Sequence, residues 1–171
     1  NDSYVEGLSY AGGIVAKAHG IRLYNTSNTG MIVSNAVTAG IVGSWTDSTY
    51  DYANLVLNNV YNAGKILTKH EGKTAGILRE FIEYTGNTGY ADLTNAYNVG
   101  YILNGNQMIY DKEIDATFEN CYVIHTEKNE EEFKDIEGIK EIDDNSLSQM
   151  LKDLNENSEN LDDWKLIDNY K

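Results

Sequence analysis

The sequence predicts an all-β protein built from stacked repeats, and three observations lead to this prediction. A ten-residue frame, Leu-x-Asn-x-x-Asn-x-Gly-x-Ile, occurs at 23–32, 57–66 and 93–102. Its glycines recur at a period of about 35 residues, which is typical of solenoid repeats. The short apolar runs between the frames are rich in Ile and Val, which suit buried strands better than helices.

A second phrase precedes each frame. It reads Gly-Gly-Ile-Val at 12–15, Ala-Gly-Ile-Val at 39–42 and Ala-Gly-Ile-Leu at 75–78. Each repeat therefore consists of a short strand, a connection of variable length, a second strand with an Asn corner, and a glycine turn. The predicted β-helix domain spans 1–126 and contains about four coils. Its repeats are approximately 10–37, 38–73, 74–110 and a partial copy at 111–126.

The first Asn of each frame lies at a fixed corner. Asn tolerates the left-handed backbone region, and its side chain can bond neighbouring groups. If the coils stack, these amides form a ladder in which each bonds the next, made of Asn25, Asn59, Asn95 and Asn120. The apolar strand positions should then be almost inaccessible to solvent: Ile41, Leu57, Ile66, Ile77, Leu93 and Ile102.

The residues that directly follow the corner Asn in each copy, which we name the small column, indicate which side chains point inward. It holds only small or β-branched residues and a cysteine: Thr26, Val60, Ala96 and Cys121. Strict alternation along a strand would instead place Leu, Asn and the following Tyr on one face. A bend at Asn reverses this parity and buries the small column. We favour the bend, because only the small column is restricted in volume.

These residues resemble the GLUG repeat of bacterial cell-surface proteins. Ala39-Gly-Ile-Val-Gly43 matches the strand of that repeat, and Asn120-Cys-Tyr122 matches its turn. Copies one and three differ, with Ala16 and Arg79 where the second glycine would fall. The resemblance covers roughly residues 10–124. It implies a right-handed parallel β-helix in an extracellular, cell-surface or secreted bacterial protein, often an adhesin or an accessory domain of a surface enzyme.

Composition limits the partners. The chain has 13 basic and 27 acidic residues and a formal net charge of −14. Nucleic acid and anionic membranes are therefore disfavoured, because both require a basic face. No apolar run approaches the length needed to span a bilayer, so we predict no membrane insertion. The single cysteine, Cys121, indicates a buried structural thiol. We expect a monomer that forms part of a longer chain.

The tail, residues 127–171, differs from the repeats and carries 15 of the 27 acidic residues. Apolar residues at helical spacing predict a short helix, with Ser146 to Gln149 as a capping box. A further cluster contains Leu161, Trp164, Leu166 and Ile167. We predict a small acidic cap of helical and irregular structure, in which Leu151, Leu154 and Trp164 cover the last coil. A disordered acidic linker is the alternative.

Two connecting loops, 44–54 and 79–92, occupy equivalent places in successive repeats and are rich in aromatic residues. Insertions at one place in each repeat form one face of a solenoid, often the binding face. The candidate ligand-binding residues are Trp45, Tyr50, Tyr52, Phe81, Tyr84 and Tyr90. Aromatic faces beside polar groups suit carbohydrate rings and protein interfaces. The alternative is that these aromatics fold back over the strands beneath.

The predicted function is a non-catalytic module, either a rigid spacer or an adhesive segment. Its partners would be glycans or proteins of a host or a cell wall. The alternative is a polysaccharide-degrading lyase or hydrolase, or an accessory domain of a surface peptidase. A glycan-cleaving enzyme needs convergent carboxylates or an Arg or Lys base, and the pattern brings no such set together. The three histidines are scattered, so no metal site, catalytic residue or cofactor is predicted.

Overall fold

The computed structural model describes residues 1–46, 54–69, 74–84, 86, 89–103, 115–124, 136–143 and 146–156. Strands dominate these ranges, and one α-helix follows them. In chain order the elements are β1 (Val5–Gly7), β2 (Tyr10–Gly12), β3 (Val15–His19), β4 (Ile21–Asn28), β5 (Met31–Ser34), β6 (Val37–Ala39), β7 (Val42–Thr46), β8 (Asn54–Asn62), β9 (Lys65–Thr68), β10 (Thr74–Ala75), β11 (Leu78–Ile82), β12 (Tyr90–Asn98), β13 (Asp115–Glu119), β14 (Cys121–Ile124), β15 (Ile139–Ile142) and α1 (Leu147–Glu156).

The strands form sheets in which every described pairing is parallel. Three sheets have three strands each, in the orders β1-β5-β9, β2-β6-β10 and β3-β7-β11. The fourth has the order β4-β8-β12-β14-β15, and β13 also pairs with β12. The prediction of an all-β chain with parallel sheets is therefore confirmed.

Strand pairing follows the sequence repeat. Each strand of the set β1–β4 pairs with its counterpart in the set β5–β8, which pairs in turn with the set β9–β12. In the longest sheet Leu23 pairs with Leu57, and Leu57 pairs with Leu93. Equivalent residues of the frame therefore lie side by side across three strands. Ile66 and Ile102, the last residues of two frames, form an isolated parallel bridge.

The main core contains the residues that the repeat predicts. Ile41, Leu57, Ile66, Ile77 and Leu93 are all completely inaccessible to solvent, and Ile102 retains 7% of its exposure. Because Ile and Leu recur at these paired positions, each side chain packs against its counterpart in the neighbouring set of strands. The core is consequently continuous along the direction in which the strands are paired.

The corner asparagines reverse the side-chain parity. Among the described residues, the only non-glycine residues with positive φ are these four: Asn25 (54°), Asn59 (53°), Asn95 (51°) and Asn120 (54°). A residue in the left-handed region interrupts the alternation of an extended strand. As a result the small column turns inward, and Val60, Ala96 and Cys121 are fully buried.

The tail contains a strand that the sequence analysis did not predict. Strand β15 pairs with β14 in parallel, and Cys121 lies opposite Ile139. The predicted helix is present as α1, and its Met150 and Leu154 are buried beside Tyr97 and Tyr122. Trp164 and its neighbouring apolar cluster, Leu161, Leu166 and Ile167, lie outside the described residues, as does the side chain of Leu151.

The start of α1 differs from the predicted capping box. The Ser146 hydroxyl donates to Asp143 Oδ1 at 2.6 Å, and the Ser146 backbone N–H donates to the same oxygen at 2.9 Å. Gln149, the expected partner, donates from Nε2 to Asp153 Oδ1 at 2.6 Å. The prediction was wrong about the partners because Asp143, three residues earlier, offers a charged acceptor, which is stronger than a neutral one.

Candidate functional site

The predicted asparagines lie in a line of amide hydrogen bonds, which we name the corner ladder (Asn25, Asn59, Asn95 and Asn120). Asn59 Nδ2 donates to Asn25 Oδ1 at 3.2 Å, and Asn95 Nδ2 donates to Asn59 Oδ1 at 3.0 Å. Asn120 Nδ2 donates to Asn95 Oδ1 at 2.8 Å. The left-handed backbone at each corner places successive amides above one another. Each hydrogen bond of the ladder therefore joins two neighbouring strands.

A second amide line was not predicted, and we name it the inner ladder (Asn28, Asn62 and Asn98). Asn28 Nδ2 donates to Asn62 Oδ1 at 2.8 Å, and Asn62 Nδ2 donates to Asn98 Oδ1 at 2.8 Å. Its bonds run toward the later repeats, whereas those of the corner ladder run toward the earlier ones. The signal was present in the sequence, because the second Asn of the frame is invariant among the three copies.

The inner ladder explains why both repeated phrases contain glycine. A Cβ at Gly64 would lie 2.0 Å from the Gly30 carbonyl oxygen and 2.5 Å from Asn28 Nδ2. A Cβ at Gly76, in the other phrase, would lie 2.2 Å from Asn98 Cγ. All three distances are far shorter than a van der Waals contact. The two phrases therefore meet at this ladder, and the glycines leave the space that the amides occupy.

Trp45 is not available as a ligand platform, so its assignment as a binding residue was wrong. Its side chain has no exposed surface and belongs to the main core. Trp45 is in register with Phe81, and their ring centroids lie 5.1 Å apart. Phe81 is partly buried against the same core. A large aromatic ring gains most by burial, and both residues lie within strands, Trp45 in β7 and Phe81 in β11, and not in connecting loops as predicted.

The remaining predicted aromatics have different surroundings. Tyr50 and Tyr52 lie outside the described residues. Tyr84 is 63% exposed and Tyr90 is 37% exposed. The Tyr90 hydroxyl is 3.0 Å from Thr117 Oγ1, which donates to Asp92 Oδ1 at 2.9 Å. Tyr84 and Tyr90 are thus the most exposed of the predicted binding residues in the described part of the chain.

Tyr84 contacts a cation that the sequence analysis did not select. Lys17 Nζ donates to the Tyr84 hydroxyl at 3.0 Å and lies 5.2 Å from the centre of the Tyr84 ring. It also lies 5.3 Å from the centre of the Tyr10 ring. The hydrogen bond to Tyr84 is the largest cause of the raised pKa of Lys17. Since 67 positions separate Lys17 from Tyr84, no local pattern relates them.

A polar network joins α1 to the strands. The Tyr122 hydroxyl oxygen lies 2.8 Å from both Asn120 Oδ1 and Asp153 Oδ2, and its single proton can be donated to one of these acceptors at a time. Lys140 Nζ lies 3.7 Å from Asp153 Oδ2. Hydrogen bonds from Gln149 and then Tyr122 lower the pKa of Asp153, while burial raises the pKa of Tyr122. The ionised Asp153 carboxylate is therefore the group through which this network holds the helix.

Reactive groups are few in the described part of the chain. Cys121 is fully buried, and burial raises the pKa of its thiol to about 12, so the nucleophilic thiolate does not form at neutral pH. Within the described ranges, no set of three His, Cys, Asp or Glu side chains could hold a metal ion. The same part of the chain contains no helix with the length and apolarity needed to cross a membrane.

Comparisons with known proteins found no match to any family model, curated sequence or solved structure.

Proposed function

We propose that the chain is a right-handed parallel β-helix of the GLUG type and serves as a rigid, non-catalytic module of a bacterial cell-surface or secreted protein. The observation that carries this proposal is the pair of asparagine ladders, which link equivalent corners of successive repeats. In a solenoid each repeat contacts only its neighbours, so added repeats lengthen the protein without changing its cross-section. That property suits a spacer.

The ladders also account for rigidity. In the middle of the ladders Asn59, Asn95 and Asn62 each donate to one neighbour and accept from the other, so a repeat cannot rotate or slide without breaking bonds at both ladders. Equivalent strands of successive repeats are also paired in four parallel sheets, which further fix the proposed coil. Each coil would add about 4.8 Å along the axis. A stack held in this way keeps its two ends at a fixed separation, as a spacer must.

Duplication of one repeat tests the solenoid. Asn54 pairs with Tyr90, and the corner ladder advances 36 positions at this step, so residues 54–89 correspond to one complete coil. A second copy of 54–89 inserted after residue 89 should fold. Its circular dichroism should show the same strand signal per residue, and small-angle scattering should show a longer particle.

The matched control inserts the same residues in scrambled order, which should unfold the chain or leave the insertion disordered. A duplicated variant that unfolds or aggregates like the scrambled control would contradict the solenoid. A folded variant of unchanged length would do so as well.

Adhesion would use the face that contains Tyr84 and Lys17, with Tyr90 as the second exposed aromatic of the predicted loops. An exposed ring beside a hydrogen-bonding cation suits a sugar or a protein loop. The net charge of −14 favours neutral or cationic glycans over anionic ones. Single contacts of this kind are weak, and repeated copies of the module would supply the avidity.

A glycan array and a pull-down from host matrix would test this face. Tyr84→Ala should abolish any binding, whereas Tyr24→Ala, a change at a tyrosine of β4 that is 56% exposed, should leave it intact. Equal binding by both variants would place the site elsewhere. Turnover of any glycan would support the enzymatic alternative.

A further inference from the structure

The sheet β1-β5-β9 has apolar side chains on both of its faces. On the inner face Ile32 and Ile66 are completely buried, and Ile66 forms the parallel bridge to Ile102. Because side chains alternate along a strand, the residues on either side of each isoleucine point outward. We name these outward residues the outer strip, and they are Met31, Val33, Lys65, Leu67, Tyr101 and Leu103. All of them except Lys65 are apolar or aromatic.

The outer strip consists of two straight lines of side chains that reach solvent. Met31 pairs with Lys65, and Val33 pairs with Leu67. The bridge between β9 and residue 102 continues both lines to 101 and 103. Three members of the strip are exposed, and the largest of them, Tyr101, is 61% exposed. The strip is therefore a surface that a ligand can reach.

The longest sheet shows that an apolar outer face is not general in this fold. Its half-buried outward positions include Asn58 and Thr94, which pair with each other, and Asp92 on the same strand. A polar outer face can be solvated, whereas strands of a parallel sheet with two apolar faces are normally covered on both. A contiguous apolar patch at the surface marks an interaction site, and the outer strip is such a patch.

The dimensions of the strip restrict its partner. From β1 to residue 101 the lines cross three inter-strand spacings, or about 14 Å, and the two lines lie about 7 Å apart. A stable protein interface buries about 800 Å² on each partner, which is far more than this strip provides. A narrow, extended ligand that lies along the two lines matches these dimensions better than a folded protein.

The chemistry of the strip favours a neutral sugar chain. Tyr101 at one end and Tyr4 at the β1 end are both more than half exposed, and aromatic rings stack against the C–H faces of sugars. Lys65 and Glu6, which pairs with Val33, can bond sugar hydroxyls, and their charges cancel locally. Anionic membranes and anionic polymers are disfavoured, because they require a basic face.

We propose that the outer strip binds a neutral, extended β-1,4-linked polysaccharide that runs across the strands. The strands are about 4.8 Å apart, which is close to the length of one sugar in such a chain. Successive sugars would then lie over successive strands, with Tyr101 stacked against one of them. This goes beyond the adhesive face of Tyr84 and Lys17, because that face belongs to the sheet β3-β7-β11 and its contacts are separate.

Cellohexaose is the probe, and maltohexaose is the control ligand, because it contains the same sugar in α-1,4 links that curve the chain. Affinity is measured by isothermal titration calorimetry. Tyr101→Ala removes an exposed ring, and Leu67→Thr makes the middle of the strip polar while keeping a residue type that suits a strand. Tyr84→Ala is the matched control on the adhesive face. Circular dichroism confirms that each variant is folded.

We expect cellohexaose to bind about tenfold more tightly than maltohexaose, and Tyr101→Ala to weaken cellohexaose binding by about tenfold because a stacking contact is lost. Leu67→Thr should weaken it in the same direction, and Tyr84→Ala should leave it unchanged. The proposal is overturned if neither oligosaccharide binds, if both bind equally, or if binding depends on Tyr84 and not on Tyr101. A dimer in sedimentation that Leu67→Thr dissociates would assign the strip to a second copy of the chain and overturn it as well.

Discussion

The corner ladder and the inner ladder are built from the same side chain at neighbouring positions, yet their surroundings differ. The inner ladder is buried throughout, with Asn28 and Asn62 completely inaccessible and Asn98 4% exposed. The corner ladder is buried only in its middle, at Asn59 and Asn95, and Asn25 is exposed. An amide that loses its partner in the inner ladder cannot turn to water, so that ladder should contribute more to stability.

The largest effect should follow a break in the inner ladder. Asn62→Ala removes the acceptor for Asn28 and the donor to Asn98, and it also removes the acceptor for the Gly64 N–H. Several buried polar groups would then be unpaired, and we expect the free energy of unfolding to fall by about 4 kcal/mol. Urea denaturation measures this change. Asn58→Ala, at a partly exposed site in the same strand, should cost less than about 1 kcal/mol.

The equivalent change in the corner ladder should cost less. Asn59→Ala loses one bond on each side and forces alanine into a backbone with φ of 53°, so we expect a loss of about 2–3 kcal/mol. Asn59→Gly removes the same bonds without the strain, and it should recover about 1 kcal/mol. An unchanged denaturation midpoint for Asn59→Ala would show that this ladder contributes nothing.

The exposed end of the corner ladder should be the least sensitive to substitution. Asn25→Gly removes one acceptor, the Oδ1 that binds Asn59, and water can replace it. The expected loss of unfolding free energy is below about 1 kcal/mol. Thermal denaturation of Asn25→Gly beside Asn59→Gly measures the difference between the end and the middle of one ladder. Equal losses would mean that burial does not set the strength of these bonds.

The contact between α1 and the corner ladder should depend on pH. The pKa of Asp153 is lowered in the folded protein, so its contribution is present above its ordinary pKa of 3.8 and is lost as the pH falls through the lower, folded value. Hydrogen exchange of α1 should therefore accelerate in acid before that of β8. Asp153→Asn should remove this acid-induced acceleration of exchange in α1, because the asparagine side chain does not titrate. Simultaneous acceleration of both elements would assign the acid sensitivity to the whole fold.

The sequence alone predicted the strands, their parallel arrangement and the corner asparagines, because the repeat is strict. Each copy of the frame packs against the same neighbours, so the same residue type recurs at equivalent positions, as with Leu23, Leu57 and Leu93. The left-handed backbone of the corner followed from the recurrence of Asn there, and the reversed side-chain parity followed from the small column beside it. The inner ladder was missed because the sequence analysis gave a role only to the first Asn of the frame and none to the second.

Tertiary structure decided the features that are not repeated. Trp45 was assigned to a binding loop because 44–54 and 79–92 are aromatic-rich stretches at equivalent places in successive repeats, but it lies opposite Phe81 and within the core. Lys17 reaches Tyr84 only because intervening sets of strands bring these distant residues together. Strand β15 has charged residues at its centre, and it joins the sheet through its pairing with β14. A contact between non-equivalent residues occurs only once in the protein. It therefore produces no periodic pattern in the sequence, and it is determined by how the folded chain packs.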